Sequence, residues 1–319
     1  MNKKLNKYII ACSILLLSFG MKAQQDAHYS FYMFNGLYLN PAYAGSKDAI
    51  STMALYRHQW ATIPGAPRSG SFSIHSPLKN NKLALGLIYT FDRVGSSQSN
   101  GLQLSYAYRI PVGKKKQHKI CIGLQAGVTN YQNKLADLNV SQPGVVDPVF
   151  GENKNLWLPN FGLGLYFYGP KYFIGASIPH LLNLSLNESA KYAGDDATYA
   201  RLYRHYLLTA GYVFDLGKKV KFRPSFLMKY VKNAPLDFDI TAAFMFVDRV
   251  WLGVSHRVGD SYVFMGDFYV TPQFHLGYAY DLTVSDLNKY TGGTHEVMLG
   301  YDFWFEKSRL VNPRYVKYF

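Results

Sequence analysis

Histidine, serine, cysteine and carboxylate side chains are the groups in this sequence that could perform chemistry, yet their spacing builds no reactive site. The nine histidines and two cysteines form no metal-spaced cluster. No Gly-x-Ser-x-Gly elbow and no phosphate-binding loop occurs. Ser73 and His75 would share one face of a strand, a coincidence too weak to define a hydrolase site. We therefore predict a chain that is not an enzyme, with no catalytic residue, no cofactor-binding residue and no metal site.

The elements that carry these residues alternate between apolar and polar side chains with a period of two. The clearest example runs from Leu83 through Leu87 to Phe91, with small or polar residues between. We count about fourteen such segments of about 9–13 residues, the length of tilted membrane-spanning strands and longer than the roughly 5–6 residues of soluble sheets. They start near residues 50, 69, 83, 100, 118, 157, 171, 203, 219, 237, 249, 261, 273 and 295. The pattern predicts an all-β fold, a transmembrane antiparallel β-barrel of about 14 strands, with a soluble β-sandwich as the alternative.

Residues 1–23 have the composition of a secretory signal peptide. Lysines precede an apolar run from Ile9 to Phe19, and Ala23 stands before a polar stretch. Cleavage after Ala23 would remove Cys12 and leave Cys121 alone, so no internal disulfide could form. Cleavage would also remove four lysines and lower the net charge from +14 to +10. Export and the lack of a recognition motif argue against nucleic acid as a partner.

Connection lengths predict how the barrel is oriented. The long connections, at 131–156, 180–202 and 283–294, all follow odd-numbered segments, whereas the even-numbered connections are mostly short. Outer-membrane barrels place long loops outside and short turns in the periplasm, so both chain ends are expected in the periplasm. Lysines and arginines are concentrated in the short turns and the C-terminal tail. This basic rim could contact acidic partner surfaces or cell-wall polymer, and solvated turn lysines are the alternative.

Alternation also places charged residues of both signs inside the barrel, where they could pair with one another and with backbone groups. These residues are Arg109, Arg223, Lys229, Asp239, Asp267, Asp281 and Asp302. Such an interior favours a filled lumen over an open pore.

The stretch before the first strand is predicted to fill the lumen. It carries more aromatic area than a free tail would leave in water. At its centre, Asn40-Pro41-Ala42-Tyr43-Ala44-Gly45 suits neither a helix nor a regular strand, because Pro41 lacks a donor and Gly45 can take a positive φ. We predict a plug that includes Tyr32, Phe34, Asn35, Asn40, Pro41, Ala42, Tyr43 and Gly45. The predicted order is signal peptide 1–23, N-terminal plug 24–49, barrel 50–305 and periplasmic C-terminal tail 306–319.

Several pieces of this N-terminal stretch resemble the signature of a known family. They are Tyr32-Met33-Phe34-Asn35, Leu39 to Gly45, Tyr56-Arg57 with Gln59-Trp60, Ile63-Pro64-Gly65-Ala66-Pro67, and Ser71 to Leu78. Together they resemble the PorP/SprF family of outer-membrane barrels associated with type IX secretion and gliding motility. The resemblance implies a non-enzymatic outer-membrane component that helps secrete or anchor a large surface protein, such as an adhesin, by binding its C-terminal domain. It implies further contacts with outer-membrane lipid and with periplasmic secretion or motility components or a peptidoglycan-bound protein.

A second function stays open on the sequence, because the barrel with an Asn-Pro-Ala hatch is also similar to the FadL family of channels for small hydrophobic compounds. The loop after the first strand could contact a partner or line a ligand path. Its candidate contact residues are Trp60, Ile63, Pro64, Gly65 and Pro67.

Overall fold

The computed structural model describes residues 27–78, 81–114, 117–134, 153–185, 201–232 and 234–303. The predicted signal peptide, the first residues of the predicted plug and the predicted C-terminal tail lie outside the described residues. Fourteen long strands follow one another in the described part of the chain. They are β1 (Ile50–His58), β2 (Arg68–Pro77), β3 (Leu83–Val94), β4 (Ser97–Val112), β5 (His118–Asn133), β6 (Lys154–Tyr168), β7 (Tyr172–Ile178), β8 (His205–Tyr212), β9 (Val220–Val231), β10 (Asp237–Phe246), β11 (Val250–Arg257), β12 (Ser261–Tyr269), β13 (Phe274–Thr283) and β14 (Thr294–Phe303).

These strands form a closed antiparallel barrel. Each strand pairs with the next along the chain, and β1 pairs with β14 from Ile50 opposite Phe303 to His58 opposite His295. Closure leaves no unpaired edge, so the wall satisfies its own backbone hydrogen bonds without water. Two-residue strands add minor pairings: Phe214–Asp215 with β9, and Leu184–Ser185 with Arg201–Leu202. The predicted β-barrel is confirmed, and every strand begins within three residues of its predicted start.

The apolar and polar residues that alternate along the sequence face the outside and the inside of the wall, respectively. On β3, Leu85 and Tyr89 point outward with 42% and 43% of their surface exposed, while Ala84 and Ile88 point inward and are buried. The outer face is apolar along the other strands too, as a lipid-facing surface requires. Among the described residues, no helix is both long and apolar enough to cross a membrane.

The two ends of the barrel differ in their connections. One end, called here the long-loop end, carries the connections at 59–67, 134–153, 179–204 and 284–293. The other, the short-turn end, carries brief links such as 78–82, 113–117 and 169–171. The barrel wall begins and ends at the short-turn end, with Ile50 and Phe303. This arrangement has the parity that the sequence predicts.

The residues before β1, called here the N-terminal segment (Ala27–Ala49), lie inside the barrel. The segment contains one turn of helix, α1 (Gly36–Leu39), and a 3₁₀ turn, Pro41–Tyr43. It starts near the long-loop end and reaches the short-turn end where β1 begins. The core of the protein is the packing of this segment against the inward face of the wall.

Candidate functional site

The lumen is the candidate site, and all eight residues predicted for the plug are buried in it. Phe31 and Ala42 of the segment have no exposed surface, and Tyr32 and Tyr43 are 3% exposed. Their side chains pack against inward residues of the wall, among them Trp251. The geometry brings the predicted residues together; their role in closing the lumen remains a proposal.

A carboxylate cluster on the wall holds the segment near the long-loop end. Glu296 accepts hydrogen bonds from the backbone N–H groups of Ser30 (2.7 Å) and Phe31 (2.9 Å). The Ser30 hydroxyl donates to Asp281 Oδ1 at 2.7 Å. Arg57 joins the two acids, with Nη1 3.1 Å from Glu296 and Nη2 2.7 Å from Asp281. This group of Ser30, Phe31, Arg57, Asp281 and Glu296 is called the upper anchor below.

The upper anchor is continued by further ion pairs around the lumen. Arg257 lies 3.1 Å from Asp239 and 3.3 Å from Asp281. His28 of the segment lies 2.8 Å from Asp239 and 3.4 Å from Asp237. Buried charges are costly unless they are paired. Together with the upper anchor, these pairs form one network over five strands, β1, β10, β11, β13 and β14. The segment is therefore bonded to the wall by polar contacts as well as by packing.

Aromatic rings and side-chain hydroxyl groups contact the middle of the segment. Arg223 lies 4.7 Å from the Phe34 ring centre and 4.4 Å from that of Trp251, which gives the cation two aromatic faces. The Tyr32 hydroxyl lies 3.0 Å from the Thr241 hydroxyl, and Asn35 Nδ2 donates to the Ser71 hydroxyl at 3.2 Å.

The Asn-Pro turn (Asn40–Tyr43) fits against glycines of the wall. Asn40 caps the turn by accepting from Ala42 N–H at 2.9 Å, and its Nδ2 donates to the Leu165 carbonyl at 2.9 Å. A Cβ at Gly123 would lie 2.1 Å from Ala42 N, and one at Gly164 would lie 1.9 Å from Asn40 Oδ1. The turn therefore sits on positions where only glycine leaves room.

A second ionic group holds the segment at the short-turn end. Asp48 pairs with Arg109 and lies 3.0 Å from Lys119 Nζ. Lys47 lies 3.5 Å from Asp302, which also accepts from the Ser51 hydroxyl at 2.6 Å. These contacts are called the lower anchor.

Two buried histidines of the wall, His75 and His275, make structural contacts. His75 Nδ1 accepts from Gly45 N–H at 3.1 Å, so this histidine holds the backbone of the segment. His275 Nδ1 lies 2.9 Å from Asp267 Oδ1, and its ring stacks on Tyr269. Within the described ranges, no group of three or more His, Cys, Asp or Glu side chains could hold a metal ion.

The seven charged residues predicted to face the lumen are all buried there. The sequence reasoning missed Arg57, Arg257 and Glu296 of the wall and Lys47 and Asp48 of the segment. The inward parity of Glu296 and Arg57 on their strands was a usable signal. Their pairing could not be read without the β1–β14 register, which puts Arg57 opposite Glu296.

The predicted partner-contact residues lie together in the β1–β2 loop at the long-loop end. Pro64 and Gly65 are exposed, while Trp60, Ile63 and Pro67 are half-buried. Neighbouring connections hold the loop: Ala61 N–H donates to the Gly293 carbonyl and Gly95 N–H to the Gly65 carbonyl, both at 2.9 Å. The loop is thus fixed to the rim.

A closed barrel with an apolar outer face and a charged, occupied lumen defines an outer-membrane β-barrel protein. The family model of the type IX secretion system membrane protein PorP/SprF matches residues 21–301, and the chain belongs to this family. No curated protein matches the chain.

Solved barrels show only a distant likeness. A Pseudomonas aeruginosa FadL homologue is 12% identical with a TM-score of 0.47, over 83% of this chain and 93% of that one. The CymD monoaromatic hydrocarbon channel is 13% identical with a TM-score of 0.49, over 85% and 92%. The Acinetobacter baumannii protein Omp33 is 9% identical with a TM-score of 0.45, over 81% and 98%. At these scores the likeness carries no argument about function.

Proposed function

We propose that this protein is a non-enzymatic component of type IX secretion and gliding motility that helps secrete or anchor a large surface protein, such as an adhesin, by binding its C-terminal domain. Membership of the PorP/SprF family supports the secretion role. The rest of the proposal depends on one observation: the protein's own N-terminal segment occupies the lumen from the upper anchor to the lower anchor.

An occupied lumen suits a protein that holds a partner better than one that passes a solute. The anchors use buried, paired charges and backbone hydrogen bonds, and breaking such pairs is expensive. A segment held in this way would act as a plug and keep the barrel closed to ions. Lipid around the outer face would then be the barrel's other partner.

The partner surface we propose lies at the long-loop end, where the β1–β2 loop meets the β13–β14 connection. The Thr62 hydroxyl donates to the Tyr290 carbonyl at 3.0 Å and accepts from Gly292 N–H at 2.9 Å. The two loops therefore form one surface. Tyr290 is 74% exposed and Leu287 is 39% exposed in the β13–β14 connection, and Pro64 is exposed in the β1–β2 loop. Exposed aromatic and apolar side chains on a fixed backbone suit protein recognition.

The basic short-turn end supports contacts on the other side of the membrane. Lys218, Lys219 and Arg249 lie in or beside its turns. We propose that this rim meets acidic surfaces of periplasmic secretion or motility components, or of a peptidoglycan-bound protein.

A clean deletion of the gene tests the proposed function. We expect surface display of one large exported protein to be lost and that protein to co-purify with the barrel from detergent. Loss of uptake of a small hydrophobic compound, with every surface protein still displayed, would refute the proposal and favour the channel function.

Site-specific crosslinking tests the partner surface. A photoreactive amino acid at Tyr290 should crosslink to the exported protein, whereas one at Leu165, which is 56% exposed on the outer face of the wall, should not. Equal crosslinking at both positions would contradict the assignment of the long-loop end.

Conductance in a planar bilayer tests the plug. Deleting Phe31–Gly45 should raise the ion conductance of the barrel, because it empties the lumen between the anchors. Deleting residues 306–319 provides a control of similar length and should leave conductance low. A barrel that stays closed without Phe31–Gly45 would show that something else occludes it.

A further inference from the structure

Four basic side chains form a row across the outer face of the wall at the long-loop end. His295 of β14 lies opposite His58 of β1. His58 in turn lies opposite Arg68 of β2, which lies opposite Arg93 of β3. The alternation of each strand points these side chains outward, and both arginines are exposed. Neighbouring strands lie about 4.8 Å apart, so the four residues form one continuous line, called here the cationic row.

The cationic row marks the level at which the outer face changes from apolar to charged. On β3 the outward residues from Leu83 to Phe91 are apolar or aromatic, and Arg93 is the next one. On β14 the outward residues that follow His295 are apolar or aromatic as far as Phe303. The apolar band of a membrane barrel ends where the lipid headgroups begin. The cationic row therefore lies at the level of the headgroups.

The two arginines of the row repel each other. They are direct cross-strand neighbours, and like charges in this position destabilise a sheet. Among the described residues, no carboxylate forms an ion pair with Arg68 or Arg93. Asp92, the nearest acid in the sequence, points inward and accepts from the Ser69 hydroxyl. An anion bound between the two guanidinium groups would remove the repulsion, and a phosphate suits them because it accepts paired hydrogen bonds from arginine.

Aromatic side chains lie beside the row on the same outer face. The rings of Tyr56 and Phe91 are 6.3 Å apart, and Gly70 leaves room for Phe91, because a Cβ there would lie 2.2 Å from its ring. Tyr56 is 43% exposed, and Phe72 is 47% exposed one step further from the long-loop end. Rings of this kind at a membrane interface contact the upper part of the acyl chains. The surface is thus cationic at the rim and apolar directly next to it.

We propose that the cationic row binds a lipid that carries a phosphate group. The phosphate lies between Arg68 and Arg93, the histidines of the row offer further N–H donors, and the acyl chains lie along Tyr56 and Phe91. This proposal rests on the lipid contact proposed above and narrows it to one headgroup chemistry and one part of the outer face. It is independent of the exported partner.

Native mass spectrometry of the purified full chain in detergent tests the row with two lipids that differ only in the phosphate. Dioleoyl phosphatidic acid carries the phosphate, and dioleoylglycerol lacks it. The wild-type protein should bind phosphatidic acid at least about tenfold more tightly than dioleoylglycerol, the value of one charge-assisted hydrogen bond. An excess of inorganic phosphate should not displace the lipid, because free phosphate has no acyl chains to contact the rings.

The double change Arg68→Gln with Arg93→Gln should weaken binding of phosphatidic acid about tenfold or more. Lys134 and Lys154 are exposed at the same end of the barrel but outside the row. Lys134→Gln with Lys154→Gln removes the same charge and should leave the affinity unchanged. Heat-modifiable migration in a gel should confirm an intact barrel in both double variants.

Four results would overturn the proposal. They are equal binding of the two lipids, displacement of phosphatidic acid by inorganic phosphate, an unchanged affinity in the arginine variant, and an equal loss in both double variants, which would mean that binding follows net charge. The assay contains no exported protein. A failure here therefore leaves the secretion role standing, and a failure of the secretion role leaves the lipid binding measurable.

Discussion

The change Glu296→Gln should release the N-terminal segment while keeping the barrel. The Glu296 side chain is fully buried and accepts from Ser30 N–H, Phe31 N–H and the Arg57 guanidinium. An amide has one acceptor oxygen, so its NH₂ group must face one of these donors. The change therefore removes a charge-assisted bond and leaves a buried donor opposed by another donor.

The size of the effect follows from those contacts. Hydrogen bonds to charged groups contribute about 1.5–3 kcal/mol, and an unsatisfied buried donor costs about 1–3 kcal/mol. Arg57 keeps its 2.7 Å contact with Asp281, which limits the loss. We expect the docked state of the segment to lose about 3 kcal/mol, which raises the released population about 100-fold.

Cys121 reports this population without an engineered label. It is the one cysteine left when residues 1–23 are absent, it is 1% exposed, and it packs in the cluster that contains Leu37 and Tyr43 of the segment. Its reaction with a water-soluble thiol reagent requires the segment to move away. When docking is fast relative to labelling, the rate follows the released population, so it should rise about 100-fold in Glu296→Gln.

A surface pair provides the control. Asp286 lies 3.5 Å from Lys289 with both side chains mostly exposed, and such pairs contribute little. Asp286→Asn should leave the Cys121 labelling rate unchanged. Heat-modifiable migration in a gel should confirm an intact barrel in both variants. A Glu296→Gln rate within about twofold of the wild-type rate would refute the upper anchor as the device that holds the segment.

Two other changes test the fit of the segment and the orientation of the barrel. Gly123→Ala should expose Cys121 to the thiol reagent, because a Cβ there would lie 2.1 Å from the backbone of the Asn-Pro turn; Gly266→Ala, where the nearest atom is 3.6 Å away, should not. After Cys121 is replaced by alanine, a cysteine at Gly65 should react with an impermeant reagent on whole cells, while one at Lys218 should react only after the outer membrane is opened. Labelling on whole cells at Lys218 and not at Gly65 would show that the barrel has the opposite orientation.

The wall could be predicted from the sequence because its physics is local. A strand between lipid and a polar lumen must alternate at every second residue, and alternation such as that of Leu85 and Tyr89 is visible without any partner. Burial of the segment could be anticipated in the same way, since rings such as Phe31 and Tyr43 need cover.

The anchors could not be predicted, since they depend on register and on contacts between distant parts of the chain. Alternation places Glu296 inward but does not say that it meets Ser30, which is 266 residues away. The sequence also does not indicate the direction in which the segment runs through the barrel. Ala27 lies near the long-loop end, and the chain runs from there through the lumen to reach β1 at the short-turn end.

The upper anchor also constrains the order of assembly. Ser30 and Phe31 are among the first of the described residues to be synthesised, but their acceptor, Glu296, belongs to β14, the last of the described strands. Until β14 meets β1, the leading residues have no carboxylate to receive their N–H groups. Contacts such as those of Asn40 with Leu165 and of His28 with Asp239 do not need β14, so it is the Ser30 and Phe31 contacts that must wait for it. Closing the seam therefore completes the docking of the segment, because the glutamate that β14 brings to the seam is also the one that receives Ser30 and Phe31.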